Sequence, residues 1–292
     1  MLRKSAVFIT TGLLTITMFI SLSCYSQNIN NSINLQQKEE QLQRLYDSIA
    51  NSNDDDLKIK LNQKIIKKWK TLLSQPGTFD YPFDSLDKAG ILKSPDGRLK
   101  LYNWNLPYEM GKHDYFCFIQ YRPTESNEQM LLFELEDNSE NIEKPEQKIL
   151  SGNEWYGALY YKIIPIETRF NEVYYTLLAY DPNDYLTSKK IVDILHFENN
   201  KPVFGASVFK NQREISNRLI FEYGQFASMM LKYDENKEMI VYDHLSPSEP
   251  KYEGDREFYG PDFSYDGLKY ENGVWNTYFD LDLRLNEINL DD

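Results

Sequence analysis

The feature that most constrains the fold is a change of period after Pro76. Before that point apolar residues recur at helical spacing, whereas beyond it short segments alternate apolar and polar residues, as half-buried strands do. Ser94-Pro95-Asp96-Gly97 separates two such segments and has the composition of a tight turn, because Pro fixes φ and Gly accepts a positive φ. The second part of the chain is therefore predicted to consist of strands.

These strands are predicted to form one antiparallel arrangement. Segments with the required pattern lie near residues 91–93, 99–102, 114–121, 129–136, 157–166, 172–180, 189–197, 202–209, 217–223, 226–233, 238–242, 267–271 and 274–280. Most connections are short and polar, and no helical interval is long enough for a parallel crossover. The pattern predicts a mainly β fold, an antiparallel meander of about a dozen strands. It leaves open whether the meander closes as a sandwich, a barrel or a small propeller.

Two longer segments interrupt the predicted meander. One is the acidic segment 136–147, and the other runs from Ser246 to Phe263 and is rich in Pro, Gly, Asp and Glu. Loops of this length in compact domains are more often functional or disordered than idle. The second loop is therefore a place to look for a site.

A helical hairpin is predicted ahead of the strands. Apolar residues recur at helical spacing in two segments, at Leu35, Leu42, Leu45 and Ile49 and at Leu57, Leu61, Ile65, Trp69 and Leu72. The second helix ends before Pro76-Gly77, and each narrow apolar stripe is typical of a face that docks on the chain's own core. The predicted organisation is a signal segment at 1–26, a polar tether and helical hairpin at 27–77, and an antiparallel β domain at 78–292.

Composition supports the β fold and excludes one class of partner. Aromatic residues make up 14% of the chain, with 22 Tyr and 16 Phe, and rings are enriched in strands. The formal net charge is −13, and so acidic a surface repels phosphate backbones and anionic lipid headgroups. We therefore expect no nucleic-acid partner, and contact with a membrane only through the signal or a lipid anchor.

The first residues have the layout of a secretory signal peptide. Met1-Leu2-Arg3-Lys4 is short and cationic, an apolar run from Ala6 to Leu22 follows, and small residues come next. The alternative is a retained membrane anchor, since about 17 residues is the low end of a spanning helix. The sequence predicts an exported protein, in the periplasm or associated with the outer membrane.

Two cleavage sites compete within this signal. A cut after Ser26 would leave a free N-terminus at Gln27, whereas Ser21-Leu22-Ser23-Cys24 resembles a lipobox and would make Cys24 the lipidated first residue of an envelope lipoprotein, with the signal ending at residue 23. Either cut leaves Cys117 as the last free thiol, so no internal disulfide can form. The apolar residues around Cys117 predict a buried strand position and not a nucleophile.

The sequence lacks the usual catalytic motifs. It contains no Walker loop, G-x-G-x-x-G, H-E-x-x-H, G-x-S-x-G or C-x-x-C pattern. The three histidines, His113, His196 and His244, lie too far apart in sequence to predict a metal site by spacing. No cofactor is predicted.

The most suggestive residues lie between positions 243 and 267. They include Asp243, His244, Tyr259, Asp262, Tyr265 and Asp266. The carboxylates could serve as oxygen ligands for Ca²⁺ or as an acid–base pair, and the two Tyr rings could edge a sugar pocket. Ordinary turn chemistry also explains this Asp and Gly content, and the spacing departs from the EF-hand loop.

Three segments carry a resemblance. They are Ser94-Pro95-Asp96-Gly97-Arg98-Leu99-Lys100-Leu101-Tyr102-Asn103-Trp104, Lys189-Lys190-Ile191-Val192-Asp193-Ile194-Leu195 with Lys201-Pro202-Val203-Phe204-Gly205, and Met239-Ile240-Val241-Tyr242-Asp243-His244-Leu245-Ser246-Pro247 with the Tyr-Gly-Pro-Asp stretch. Together these residues resemble a family of uncharacterised exported β-rich proteins of Bacteroidota-type bacteria, over about residues 85–280. The resemblance implies export and a Gram-negative envelope setting, and it implies no role for any residue.

Three functions follow as hypotheses. The leading one is a non-catalytic envelope protein that binds a glycan or a protein partner through aromatic and acidic loops. The alternative is a hydrolase acting on sugar or peptide, which predicts a cleft where the side chains of the 243–267 segment converge. The third is a calcium-stabilised structural module.

Overall fold

A computed structural model of the chain describes residues 34–123, 130–211 and 214–283. The predicted signal peptide, both cleavage sites and Cys24 lie outside these residues. The chain divides into two compact units, one with residues up to Asn51 together with Leu61–Asp87, and one with Ser52–Lys60 and the chain from Lys88 onward. Within the described residues, no helix is both long and apolar enough to cross a bilayer.

The two predicted helices are present. Helix α1 covers residues 34–50 and helix α2 covers Asp55–Leu73. Helix α2 begins where the sequence supplies a cap, because the Asp54 carboxylate accepts a hydrogen bond from the Leu57 backbone N–H at 3.0 Å. Trp69 is fully buried, donates through Nε1 to the Tyr46 hydroxyl at 2.9 Å, and meets the Phe83 ring at 5.2 Å. Most residues of the two apolar stripes are therefore buried, whereas Leu57 at the start of α2 is 44% exposed.

The β unit confirms the mainly β fold, since its described residues form sixteen strands in mostly antiparallel sheets that include a half-barrel. The first sheet has the order β1-β2-β3-β4 and consists of β1 (Gly90–Lys93), β2 (Leu99–Pro107), β3 (His113–Tyr121) and β4 (Leu131–Glu134). The turn between β1 and β2 is the predicted one, since Gly97 has φ 68° and its N–H donates to Ser94 O at 2.9 Å.

The second sheet has the order β5-β9-β8-β7-β6. It consists of β5 (Leu150–Ser151), β6 (Leu159–Glu167), β7 (Val173–Asp181), β8 (Thr187–Glu198) and β9 (Lys201–Phe204). Two strands pair with the same edge of β8. Strand β12 (Leu219–Gly224) pairs with the first half of β8, and β9 pairs with its last residues.

The third sheet has the order β11-β10-β16-β15-β14-β13. It consists of β10 (Phe209–Lys210), β11 (Ile215–Ser216), β13 (Leu231–Asp234), β14 (Met239–Pro247), β15 (Tyr259–Glu271) and β16 (Val274–Tyr278). Its one parallel pair joins β10 to β16, and the other pairs are antiparallel.

The second sheet is the central layer of the β unit. Consecutive strand residues point to opposite faces, so Leu177 packs into the core shared with the first sheet and Leu178 into the core shared with the third. Ile191 and Val192 of β8 divide in the same way. Burial on both faces explains why β7 is a nearly continuous apolar run, whereas β8 has polar residues among its apolar ones.

The predicted loop from Ser246 to Phe263 was wrong in its bounds. Strand β14 continues to Pro247 and β15 begins at Tyr259, and the segment between them contains two short 3₁₀ turns, at Pro250–Tyr252 and Arg256–Phe258. Pro and Gly had suggested a break, but here they lie at the end of a strand pair in which Ser246 faces Gly260. The acidic segment 136–147 is free of named strands, with 3₁₀ turns at Ser139–Asn141 and Pro145–Gln147.

Candidate functional site

A cleft of about 560 Å³ opens in the β unit beside β8, β12, β14 and β15. Seven ionisable side chains and four aromatic rings line it: Glu146, Lys189, Glu222, Asp243, His244, Arg256 and Asp266, with Tyr156, Phe221, Tyr242 and Phe279. Its volume is within the range of small-molecule sites, although its lining is more strongly charged than is usual for them. We call it the His244 cleft.

The structure brings three of the six residues singled out from the sequence into this cleft. Asp243, His244 and Asp266 line it, whereas Tyr259, Asp262 and Tyr265 do not. The Tyr265 ring packs instead against the small apolar cluster of Met239, Val241 and Leu281. Proximity along the sequence therefore did not decide which residues face the cleft.

A bulge between β14 and β15 positions His244. Asp243 pairs with Tyr265 and Leu245 with Pro261, so His244 lies opposite the extra residues 262–264 of β15. Asp262 closes this bulge by accepting bonds from the Ser264 N–H at 3.0 Å and from its hydroxyl at 2.7 Å, and both bonds lower the pKa of Asp262. Bulges of this kind re-aim side chains and are frequent beside functional sites.

His244 forms a pair with a buried carboxylate. Its Nδ1 lies 2.7 Å from Oδ2 of Asp266, which is only 3% exposed and whose Oδ1 accepts the Asp280 N–H at 3.2 Å. The bond to Asp266 is the main cause that raises the pKa of His244 above its ordinary value, and the charges of Asp262 and Asp280 add to it. Because Nδ1 is engaged, Nε2 is the ring nitrogen left to meet a ligand.

This pair gives a pH dependence with a definite sign. A raised folded-state pKa adds stability that is fully present below the unfolded-state pKa and is lost as the pH rises through the folded-state pKa. We expect His244→Gln to lower the free energy of unfolding at about pH 5.5 by a few tenths to about 1 kcal/mol more than at about pH 8.5, since His244 is partly exposed. Chemical denaturation at the two pH values measures this difference.

His113 supplies the control, because burial lowers its pKa. Protons then favour the unfolded state, so the advantage of the wild type over His113→Gln should shrink as the pH falls. Equal pH dependence in the two variants would contradict the assignment of the raised pKa to the pair of His244 with Asp266.

Asp243 has a structural bond besides its place in the cleft. Its Oδ2 accepts the Met230 N–H at 2.7 Å, and its own N–H donates to Met230 O at 3.1 Å. These two bonds fix the segment before β13 against β14. Asp243 can therefore shape the cleft while one of its carboxylate oxygens is engaged.

The facing wall carries a pair of opposite charges that the sequence analysis missed. Lys189 of β8 lies across from Glu222 of β12 in the strand register, and its Nζ donates to Asn183 Oδ1 at 2.6 Å and lies 3.6 Å from Asp181 Oδ2. Glu222 accepts the Thr187 hydroxyl at 2.6 Å. The sequence does show these two charged residues within strands that are otherwise apolar. However, charged residues in a strand also fit a face exposed to solvent, so they did not indicate a site.

A glycine allows the segment that carries Arg256 to lie close to β12. A Cβ on Gly224 would lie 2.3 Å from the backbone oxygen of Glu257, so only glycine lets β12 approach the turn at Arg256–Phe258 so closely. The Arg256 guanidinium lies 4.5 Å from the Tyr259 ring centroid, and the Tyr259 hydroxyl accepts the Gly254 N–H at 3.0 Å. Tyr259 thus supports the segment that presents Arg256.

The remaining histidine and the thiol are built into the core. His196 is 6% exposed and its ring stacks on Tyr174 with centroids 4.4 Å apart. Cys117 lies buried in β3, as the sequence predicts, and burial raises the pKa of its thiol. Among residues 34–123, 130–211 and 214–283, no cluster of three or more His, Cys, Asp or Glu could hold a metal ion, so the calcium hypothesis stays a prediction.

Comparison of the chain with protein-family models, with curated proteins and with solved structures found no match.

Proposed function

We propose that this is an exported envelope protein that binds a glycan, without cleaving it, in the His244 cleft. The observation that carries the proposal is the convergence of the pair of His244 and Asp266 with Lys189, Arg256 and aromatic rings around one cavity of about 560 Å³. Sugars present hydroxyl groups to charged side chains and C–H faces to rings. The cleft offers both kinds of surface.

The aromatic part of the cleft has a defined arrangement. The rings of Phe221 and Tyr242 lie with centroids 4.7 Å apart and tilted by 40°, and Tyr156 is buried nearby in the lining. Such rings lose little conformational entropy when a ligand binds, because they have few rotatable bonds. The charged groups opposite them supply donors and acceptors that fix orientation.

Calorimetry tests the proposed function by measuring the binding of a panel of neutral and uronate-containing oligosaccharides. For any sugar that binds, His244→Ala should raise Kd by roughly 10- to 100-fold, which corresponds to losing a hydrogen bond to a charged group. His113→Ala, which removes an imidazole outside the cleft, should leave Kd unchanged. Absence of binding across the panel, or equal Kd for the two variants, would contradict the proposal.

A hydrolase is the second candidate, and the buried partner of His244 favours it. A carboxylate that holds an imidazole by Nδ1 leaves Nε2 to move a proton, which is the arrangement of a general acid–base group. Release of reducing ends or free amines from oligosaccharides or peptides, abolished in Asp266→Asn, would support this candidate. If wild type and Asp266→Asn are equally inactive, the hydrolase should be dropped.

The location is part of the same proposal. Export to the periplasm or the outer membrane, with or without a lipid on Cys24, rests on the sequence of the first 26 residues. Intact mass of the protein isolated from cells tests it. A chain that begins at Gln27 indicates the plain cut, a diacylglyceryl adduct on Cys24 indicates the lipoprotein, and an intact Met1 would contradict a cleaved signal peptide.

A further inference from the structure

The helical unit contains a groove whose charge is opposite to that of the whole chain. About 400 Å³ in volume, it runs between α1 and α2 and is lined by Lys38, Gln41, Leu42, Lys64, Lys67, Lys68, Thr71 and Leu72. Four of these residues are lysines and none is acidic, in a chain of formal net charge −13. We call it the lysine groove.

The positive charge is concentrated by the sequence of α2. This helix has six lysines and two acidic residues, and both acids, Asp55 and Asp56, lie in the first turn. Acidic side chains at the N-terminal end of a helix interact favourably with the helix dipole. The later turns of α2, which line the groove, contain no acidic residue. A cationic surface therefore forms where α2 meets α1.

Neutral partners hold two of the lysines in place. Lys38 Nζ donates to Gln75 Oε1 at 2.7 Å, and Lys68 Nζ donates to Gln41 Oε1 at 2.7 Å. Within the part of the chain that the structure describes, no groove lysine forms an ion pair with a carboxylate. The amides orient the ammonium groups without cancelling their charge.

We propose that the lysine groove binds the anionic phospholipid surface of a membrane. Ammonium groups attract lipid phosphates, and the buried Leu42 and Leu72 form an apolar floor beneath the lysine stems. Residues 25–33 separate Cys24 from α1 and span at most about 30 Å when extended. A lipid on Cys24 would hold the groove close to the bilayer, where the lysines add an electrostatic contact with anionic lipids.

Vesicle binding of the exported chain carrying Cys24→Ala tests this, because no acyl chain can then contribute. We expect binding to vesicles of phosphatidylglycerol with phosphatidylcholine and not to phosphatidylcholine alone, and loss of binding at about 0.5 M salt. The triple variant Lys64→Gln, Lys67→Gln, Lys68→Gln should partition roughly 100-fold less.

Two further variants keep the test decisive. Lys201→Gln, Lys210→Gln, Lys232→Gln removes the same charge from the exposed surface of the β unit and should bind as the wild type does. Thr71→Glu keeps every lysine and adds a negative charge at an exposed groove position, so it should weaken binding even if the triple variant fails to fold. Equal loss in both triple variants, or no loss with Thr71→Glu, would overturn the proposal.

An acidic protein is the other class of partner that such a groove could take. Lysine-dependent capture of a glutamate-rich peptide, by a chain that ignores anionic vesicles, would also overturn the membrane proposal. Binding to the vesicles alone would sustain it.

Discussion

Replacing Asp193 with Asn should lower the free energy of unfolding by about 3–5 kcal/mol, as is usual when one partner of a buried ion pair is removed. Asp193 and Arg218 are 1% and 0% exposed, and Arg218 Nε lies 3.1 Å from Asp193 Oδ2. Without the carboxylate, the buried guanidinium loses its ion-pair partner. Urea or guanidinium titration measures the loss.

The same arginine connects the core to the cleft. Its Nη1 donates to Pro145 O and, at 3.1 Å, to Lys148 O, so it holds the segment that carries Glu146 along the cleft wall. Asp193→Asn should therefore weaken binding of any cleft ligand as well as stability. If ligand binding weakens along with stability, the ion pair also positions the cleft wall. If only stability falls, its role is confined to the core.

Glu235→Gln is the matched control for Asp193→Asn. It removes one carboxylate from an ion pair of similar length, 2.8 Å to Lys162, but the Glu235 side chain is 75% exposed. Water screens such a pair, so Glu235→Gln should lower the free energy of unfolding far less than Asp193→Asn does. If the two variants unfold at the same denaturant concentration, burial does not set the strength of the Asp193 pair.

Replacing Trp275 with Ala should also lower the free energy of unfolding by about 3–5 kcal/mol, the usual cost of deleting a fully buried ring. Trp275 of β16 is 1% exposed in the core between the second and third sheets, and its Nε1 donates to the Thr176 hydroxyl of β7 at 3.0 Å. The variant loses both the packing and this bond between the sheets. Thermal and chemical unfolding measure the effect.

Two ring variants separate these contributions. Trp275→Phe keeps most of the packing and loses the bond, so about 1–2 kcal/mol is expected. Phe226→Ala removes a fully exposed ring and should change stability by less than about 0.5 kcal/mol. A cost for Trp275→Ala below that of Trp275→Phe would show that the core closes over the missing ring.

The sequence predicts the strands well because an alternating pattern is a local property. Most strands fall within a few residues of their predicted positions, and the strands of two residues, β5, β10 and β11, have too few residues to show any alternation. Alternation says that Leu177 and Leu178 point to opposite faces. It does not say which sheet covers each face, so the central position of the second sheet was not predictable.

The site was predictable only in part, for a related reason. His244 and Asp266 were singled out as chemical types, but their 2.7 Å contact depends on the register shift of β15, which no short pattern reveals. Lys189 and Glu222 were missed because they belong to strands separated along the chain. Arg256 was missed because its position depends on the absence of a side chain at Gly224.

The parallel contact between β10 and β16 has a consequence for how the third sheet folds. Strands β10 and β11 precede β16 by more than fifty residues in the chain. Nevertheless, the edge of β10 that does not pair with β11 is hydrogen-bonded to β16. A chain that has not yet reached Val274 therefore presents an open strand edge, the kind of template on which chains aggregate. We therefore expect completion of this sheet to depend on a long-range contact that slows folding, and we expect truncated chains to associate more readily.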